Sequence, residues 1–181
     1  MYAVTTAWSP QARAGRANAP SFAVAAEEHL DDVHAYLVYL TGDRTMAEEL
    51  TAETFARACK AWKRYDPSRG SAKTWLCQLA RSAALDHFRA EKRRRRREET
   101  YASLEGREVT EAFGEGLSPA LERALAGLSP TEREVVALRV VLDLDGEAVA
   151  RLLGISATAC STRLSRALQK LEAEVKNDVV A

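Results

Sequence analysis

Six consecutive cations, Lys92 to Arg97, stand inside RAEKRRRRREE in a chain of 181 residues whose 26 Lys and Arg are matched by 26 Asp and Glu. Like charges at this spacing repel, so the run calls for a phosphate backbone to grip or for open solvent. A second group, EEHLDDVH, offers Glu28, His29, Asp31, Asp32 and His34, with Asp31 and His34 three apart. A di-metal bundle needs a matching carboxylate-x-x-His helix, and the sequence has none. No glycine-rich phosphate loop, Ser-His-Asp set or Cys-His pair stands out. Cys59, Cys77 and Cys160 are scattered, odd in number and make no CxxC. That usage suggests a reducing cytoplasm and neither a disulfide nor a metal framework. The expected chemistry is therefore binding, not catalysis, with no metal and no cofactor.

A third group is the most specific. In GEAVARLLGISATACSTRLSRALQKL, Ala148, Val149, Leu152 and Leu153 make a short amphipathic helix. Gly154 supplies a left-handed turn, Ile155 tucks into a core, and Ser156 caps a new helix. That helix turns Leu164, Leu168 and Leu171 inward and presents Ser161, Thr162, Ser165 and Arg166 on its other side. Small polar side chains let a helix approach a major groove, and Arg166 can reach a guanine edge or a phosphate. The pattern is a helix-turn-helix.

The elements that must hold these groups are helices: apolar residues recur at spacings of three and four, and period-2 alternation is almost absent. The expected fold class is all-α, with two small helical domains joined by a flexible acidic linker. Residues 1–20, rich in Ala, Gly, Pro and Ser, read as a disordered lead-in and not as a secretory signal. Residues 21–97 form the first domain. Its first helix, about 22–40, carries Leu30, Val33, Leu37 and Leu40 on one stripe. Its second, about 45–64, carries Ala47, Leu50, Thr54, Ala58 and Trp62. After the YDPSRGS loop, Ser71 caps a third helix with Trp75, Leu76, Leu79, Ala83 and Phe88, which runs into the arginines. Residues 98–117 are the linker, 118–176 a four-helix second domain, and 177–181 a tail. LSPTEREV marks one helix start of the second domain: Ser129 as cap, Pro130 at the first position, Glu132 completing a capping box. No apolar run approaches the roughly 20 residues that span a bilayer, so no membrane role is expected.

Neutrality hides segregation. Residues 21–59 are acidic, 60–97 strongly basic, and 98–116 acidic again, with Glu98, Glu99, Glu105, Glu108 and Glu111 in the linker.

Four stretches in order resemble the extracytoplasmic-function (ECF) class of the bacterial sigma family: AEELTAETFARACKAW, TWLCQLARSAALDHFR, LSPTEREVVALRVV and VARLLGISATACSTRLSRAL. The resemblance covers about residues 22–174. It implies a cytoplasmic sigma factor that binds core RNA polymerase, directs it to promoters through −10 and −35 elements, and helps open the DNA. Glu48, Glu49, Leu50, Glu53 and Phe55 match the surface that docks on the polymerase clamp coiled coil. Carboxylates around an apolar patch suit a basic partner helix. The third helix and the loop before it match the −10 reader: Arg64, Tyr65, Lys73, Arg81, Ser82, Asp86, Arg89, Lys92 and Arg93. There cations track a single strand and a pocket takes a flipped base, while Trp75 either stacks on a base or, as its apolar neighbours favour, belongs to the core. The arginine run extends that helix as a phosphate clamp. Ser161, Thr162, Arg163, Ser165 and Arg166 match the −35 reader. The linker matches the segment that threads the polymerase channel later used by RNA. The partners implied are core RNA polymerase, through clamp coiled coil and flap; promoter DNA, duplex and single-stranded; and, as in many members, an anti-sigma factor.

Departures from the family pattern fall on the readers. Ser82 stands where asparagine is usual, Ser161 where lysine or arginine is common, and Cys160, Ala159 and Gly146 replace valine, threonine and an aromatic. They leave the promoter sequence open and shift −35 contacts toward Arg163 and Arg166. Glu49 and Ala52, for aspartate and glutamine, are tolerable changes. The alternative is a helix-turn-helix regulator that binds DNA without polymerase docking. Such a protein has no use for the acidic AEELTAETF face or the acidic linker.

Overall fold

The structure is a computed structural model that describes residues 20–98, 113 and 117–180, with the side chains of 95, 97, 98 and 177–180 excepted. The expectations for the lead-in and for most of the acidic linker lie outside the described residues. Among the described residues there are helices and no strand.

The first module is three helices. α1 (Phe22–Thr41) starts where the Ser21 hydroxyl accepts from Val24 N and ends at Gly42, φ 67°. α2 (Arg44–Ala61) starts where the Asp43 carboxylate accepts from Met46 N. A 3-10 turn, Trp62–Arg64, follows it. A second such turn, Pro67–Arg69, precedes α3 (Ala72–Glu98), which carries the arginine run as continuous helix. Val33, Tyr36, Leu37, Leu50, Leu76 and Ala80 are all 2% exposed or less and interlock. Each fully buried leucine contributes about 1.5–3 kcal/mol over its exposed state. Thr51 and Thr54 join this apolar interior because their hydroxyls donate to the carbonyls of Ala47 and Leu50, both at 2.6 Å. A buried hydroxyl with such a partner avoids the desolvation penalty.

The second module has the expected four helices. α4 (Pro119–Ala126) is capped by Ser118. α5 (Pro130–Val136) opens with the full capping box between Ser129 and Glu132 and continues as a π-helical turn, Ala137–Val141. α6 (Gly146–Leu153) is capped by Asp145 and ends at Gly154, φ 68°. α7 (Ala157–Val180) follows, with Ser156 accepting from Ala159 N at 3.1 Å.

Two stripe residues differ from expectation. Leu30 is 47% exposed and Leu168 42% exposed. The period of a helix tells which side turns inward; it does not tell how far along the helix a neighbour reaches.

The two modules pack against each other. Val135, Leu138, Leu142, Val149 and Cys160 of the second share one apolar cluster with Val33, Tyr36, Leu37 and Leu76 of the first. The contact runs from α1 to α5 and its π-helical turn, and from α3 to α6.

Candidate nucleic-acid interface

The loop between α2 and α3 builds a pocket. Asp66 accepts from the Ser68 amide and hydroxyl, at 3.0 and 2.7 Å, which folds the chain back. Gly70, at φ 153°, lets the chain enter α3 where a side chain would be strained. The Tyr65 hydroxyl donates to Gly70 O at 3.3 Å. Tyr65 stacks on Trp62 with ring centroids 4.8 Å apart, and Trp75 meets Trp62 edge-on at 5.5 Å. The Trp62 indole donates to Pro20 O at 3.2 Å. The result is a pocket of about 210 Å³ with Tyr65 and Trp75 as aromatic walls and Arg64, Arg69, Thr74 and Gln78 as polar ones. Aromatic faces with cations beside them accept a base and its phosphate. Tyr65 itself is 6% exposed, so it offers an edge and not a free face. Trp75, half-buried, is both packed and pocket-lining.

From this pocket α3 carries an exposed strip: Gln78, Ser82, Asp86, Arg89, Lys92 and Arg93. Arg94 and Arg96 are exposed too, and Arg94 pairs with Glu91 at 3.0 Å. Asp86 bonds Arg89 at 3.3 Å and Arg57 of α2 at 3.2 Å. Arg57 also holds Glu53 at 2.5 Å. The hydrogen bonds to Asp86, then to Glu53, hold its guanidinium above its ordinary pKa. Arg57 thus ties a carboxylate of the expected polymerase face to one of the expected DNA face. The sequence reading passed over it, although its place four residues after Glu53 is the spacing of a helical ion pair.

Two of the expected strand-binding cations are occupied. Arg81 Nε donates to Glu134 of α5 at 2.8 Å. Lys73 Nζ donates to Leu142 O at 3.1 Å and pairs with Asp32 at 3.0 Å. Both reach across to the second module or to α1. They do not project with the strip.

On α2, Glu48, Glu49 and Glu53 are exposed. Leu50 is 2% exposed and belongs to the core, because it lies on the same side of the helix as Ala47, Thr54 and Ala58. The apolar part of that face is Phe55, half-buried against Phe22 with centroids 6.5 Å apart.

In the second module α7 divides its expected readers. Thr162, Arg163 and Arg166 line a groove of about 520 Å³ together with Ser129 and Glu132 at the start of α5. Glu132 accepts from Ser129 N at 2.9 Å and from Lys170 at 2.7 Å. Those bonds, Lys170 first, take its pKa down to about 2 and neutralise its charge locally. Ser161 and Ser165 instead line a recess with Leu164, Leu168 and Gln169. The Cys77 thiol, buried in the core, is pushed up to about 12 by desolvation and is inert as a nucleophile. No helix among the described residues is long and apolar enough to cross a membrane.

The sigma-70 region 2 family model matches residues 25–94, and the sigma-70 region 4 model matches residues 118–171. The chain is 32% identical over 173 residues to the ECF RNA polymerase sigma factor BldN of Streptomyces coelicolor, covering 93% of this chain and 64% of that one. It is 30% identical over 147 residues to the ECF RNA polymerase sigma factor SigM of Bacillus subtilis, covering 80% of this chain and 89% of SigM. Among solved structures, the sigma factor RpoE in complex with the anti-sigma factor NepR, from Bartonella quintana, has the same fold: TM-score 0.73 at 22% identity, over 86% of this chain and 96% of RpoE. With both regions matched in order, and with relatives of this identity along most of its length, the chain belongs to the ECF RNA polymerase sigma factors, which are promoter-specific, non-enzymatic transcription initiation factors.

Proposed function

We propose that this chain, as a sigma factor, meets core polymerase through the α2 carboxylates and reads promoter DNA with α3 and α7. Glu48, Glu49 and Glu53, with Phe55 beside them, form the docking face for a basic coiled coil. The pocket at Tyr65 and Trp75 receives a flipped base of the −10 element, and Ser82, Arg89, Lys92 and Arg93 track the strand that leaves it. Thr162, Arg163 and Arg166 meet the −35 duplex, with Ser161 and Ser165 at the edge of that contact. The observation that carries the reading is continuity: the aromatic pocket opens onto a strip of exposed polar and cationic side chains along one helix. A single strand needs both parts, since stacking holds bases and cations hold phosphates. Work at a promoter also implies the cytoplasm. An anti-sigma factor is a further proposed partner, in keeping with the RpoE–NepR complex.

Charge reversal at Glu49→Lys and Glu53→Lys, in the folded chain, tests the docking face. Loss of core polymerase binding with unchanged far-UV circular dichroism is expected. Native affinity in the doubly reversed chain would remove the basis for the assignment.

A further inference from the structure

One aromatic ring of the chain that connects α3 to α4 lies in the interior. Phe113 is 2% exposed. It shares an apolar cluster with Leu125 of α4, Leu128 just beyond that helix, Val136 of α5 and Ala167 of α7. Leu117 packs against the same cluster. The Arg133 guanidinium of α5 lies over the Phe113 ring, 5.4 Å from its centroid. Nε and Nη1 of that arginine are buried without a hydrogen-bond partner among the described residues. An aromatic face is a favourable neighbour for such a cation, so the contact serves both groups. From the first module only Tyr39 joins this cluster, its ring 5.9 Å from that of Phe113. The partners of Phe113 are thus nearly all in the second module and travel with it.

A buried ring divides the connecting chain. The hold of the second module on it begins at Phe113, ahead of the Ser118 cap. At about 3.4 Å per residue, the fully extended chain reaches about 51 Å from Glu98, the end of α3, to Phe113. From Glu98 to Ser118 it would reach about 68 Å. The difference, about 17 Å, equals the rise of about five base pairs of duplex.

We infer that Phe113 is a specificity-determining residue for promoter spacing: it anchors the connecting chain to the second module and so sets the longest separation of −10 and −35 elements that one chain can bridge. The inference rests on the proposed roles of α3 and α7 at those elements and adds a length to them. A tether resists only stretching. Slack costs little, because loop-closure entropy grows slowly with length. The anchor therefore limits long spacers and leaves short ones alone.

The test is run-off transcription with core polymerase, the full chain and a promoter that the chain selects, remade with spacers differing by single base pairs. Two placements of a Gly-Ser-Gly-Ser insertion decide the point. Between Arg107 and Glu108, ahead of the anchor, it should extend the longest spacer used by about four base pairs, one per residue added. Between Gly114 and Glu115, behind the anchor, it should leave that limit where it was. Phe113→Ala should extend the limit by about five base pairs. Phe113→Leu, which still fills the cluster, should stay near native. The short-spacer limit should hold throughout, whereas a second module that merely unfolds loses all spacers alike. Equal effects of the two insertions overturn the anchor, and so does an upper limit that neither insertion moves. A second measurement needs no promoter. The fluorine resonance of a para-fluorophenylalanine at position 113 should stay away from its urea-unfolded position when core polymerase is bound. Its return to that position overturns the anchor and leaves the promoter reading standing. A chain that selects no promoter sinks that reading, and the spacing inference with it.

Discussion

Leu50 lies among the carboxylates of the proposed docking face in sequence and in the hydrophobic core in space. Leu50→Ala therefore separates a packing role from a contact role. The side chain is 2% exposed and is enclosed with Ala47, Ala58, Leu76 and other members of the main core. Truncation removes three carbons from a close-packed site and leaves a cavity, a change that costs about 2–5 kcal/mol. A domain of this size has about 5–15 kcal/mol in total. With a urea slope of about 2 kcal/mol per molar, the unfolding midpoint should fall by about 1–2.5 M. Glu49→Gln and Glu53→Gln, both exposed, should shift it by no more than about 0.5 kcal/mol equivalent. The assay is urea denaturation followed by circular dichroism, beside core polymerase affinity measured where each variant is folded. Leu50→Ala should lose stability and keep affinity; the glutamine variants should do the reverse. A Leu50→Ala chain with native stability and lost affinity would refute the packing argument.

Three further outcomes follow from the same geometry. Gly154→Ala meets no atom within 4 Å but must hold φ 68°, so backbone strain alone should cost about 1–2 kcal/mol and lower the melting temperature and duplex affinity together. The Glu132 carboxylate, held down to about 2 from an ordinary 4.5 chiefly by Lys170 and Ser129, stabilises the second module fully above its unfolded pKa; that contribution is lost as pH falls through 4.5 toward 2. Lys170→Ala should flatten the acid limb of the stability–pH curve, and an unchanged limb would assign it to other carboxylates. Arg89→Gln and Lys92→Gln should each lower the logarithmic salt slope of single-strand binding by about 0.7; a slope that does not move places those cations off the phosphate path.

What the sequence disclosed was local. The capping box at Ser129 and Glu132, the turn at Gly154 and the cap at Ser156 each depend on residues close in sequence, and all are present. The helical stripes were legible in direction but not in extent, hence Leu30 and Leu168 in solvent. Ser82, Asp86 and Arg89 of α3, named from the family resemblance, share one exposed face, as their spacing of three and four requires. The tie between the modules at Glu134 was not legible. Glu134 stands in TEREVV as one more charge beside a capping box, and its partner Tyr36 is 98 residues away. Only the folded chain shows that this carboxylate is buried, and that Lys73 and Arg81 serve the contact between modules and not the strip proposed for DNA. Arg57 fell between these cases: its bond to Glu53 is local, while its bond to Asp86 spans two helices.

Start-site mapping of run-off transcripts tests the central claim most directly. It uses core polymerase stripped of its own specificity subunit, a promoter library, and this chain present or absent. A set of starts that appears only with the chain, and disappears when Glu49→Lys and Glu53→Lys are introduced, is the predicted result. An identical transcript profile with and without the chain would contradict the account.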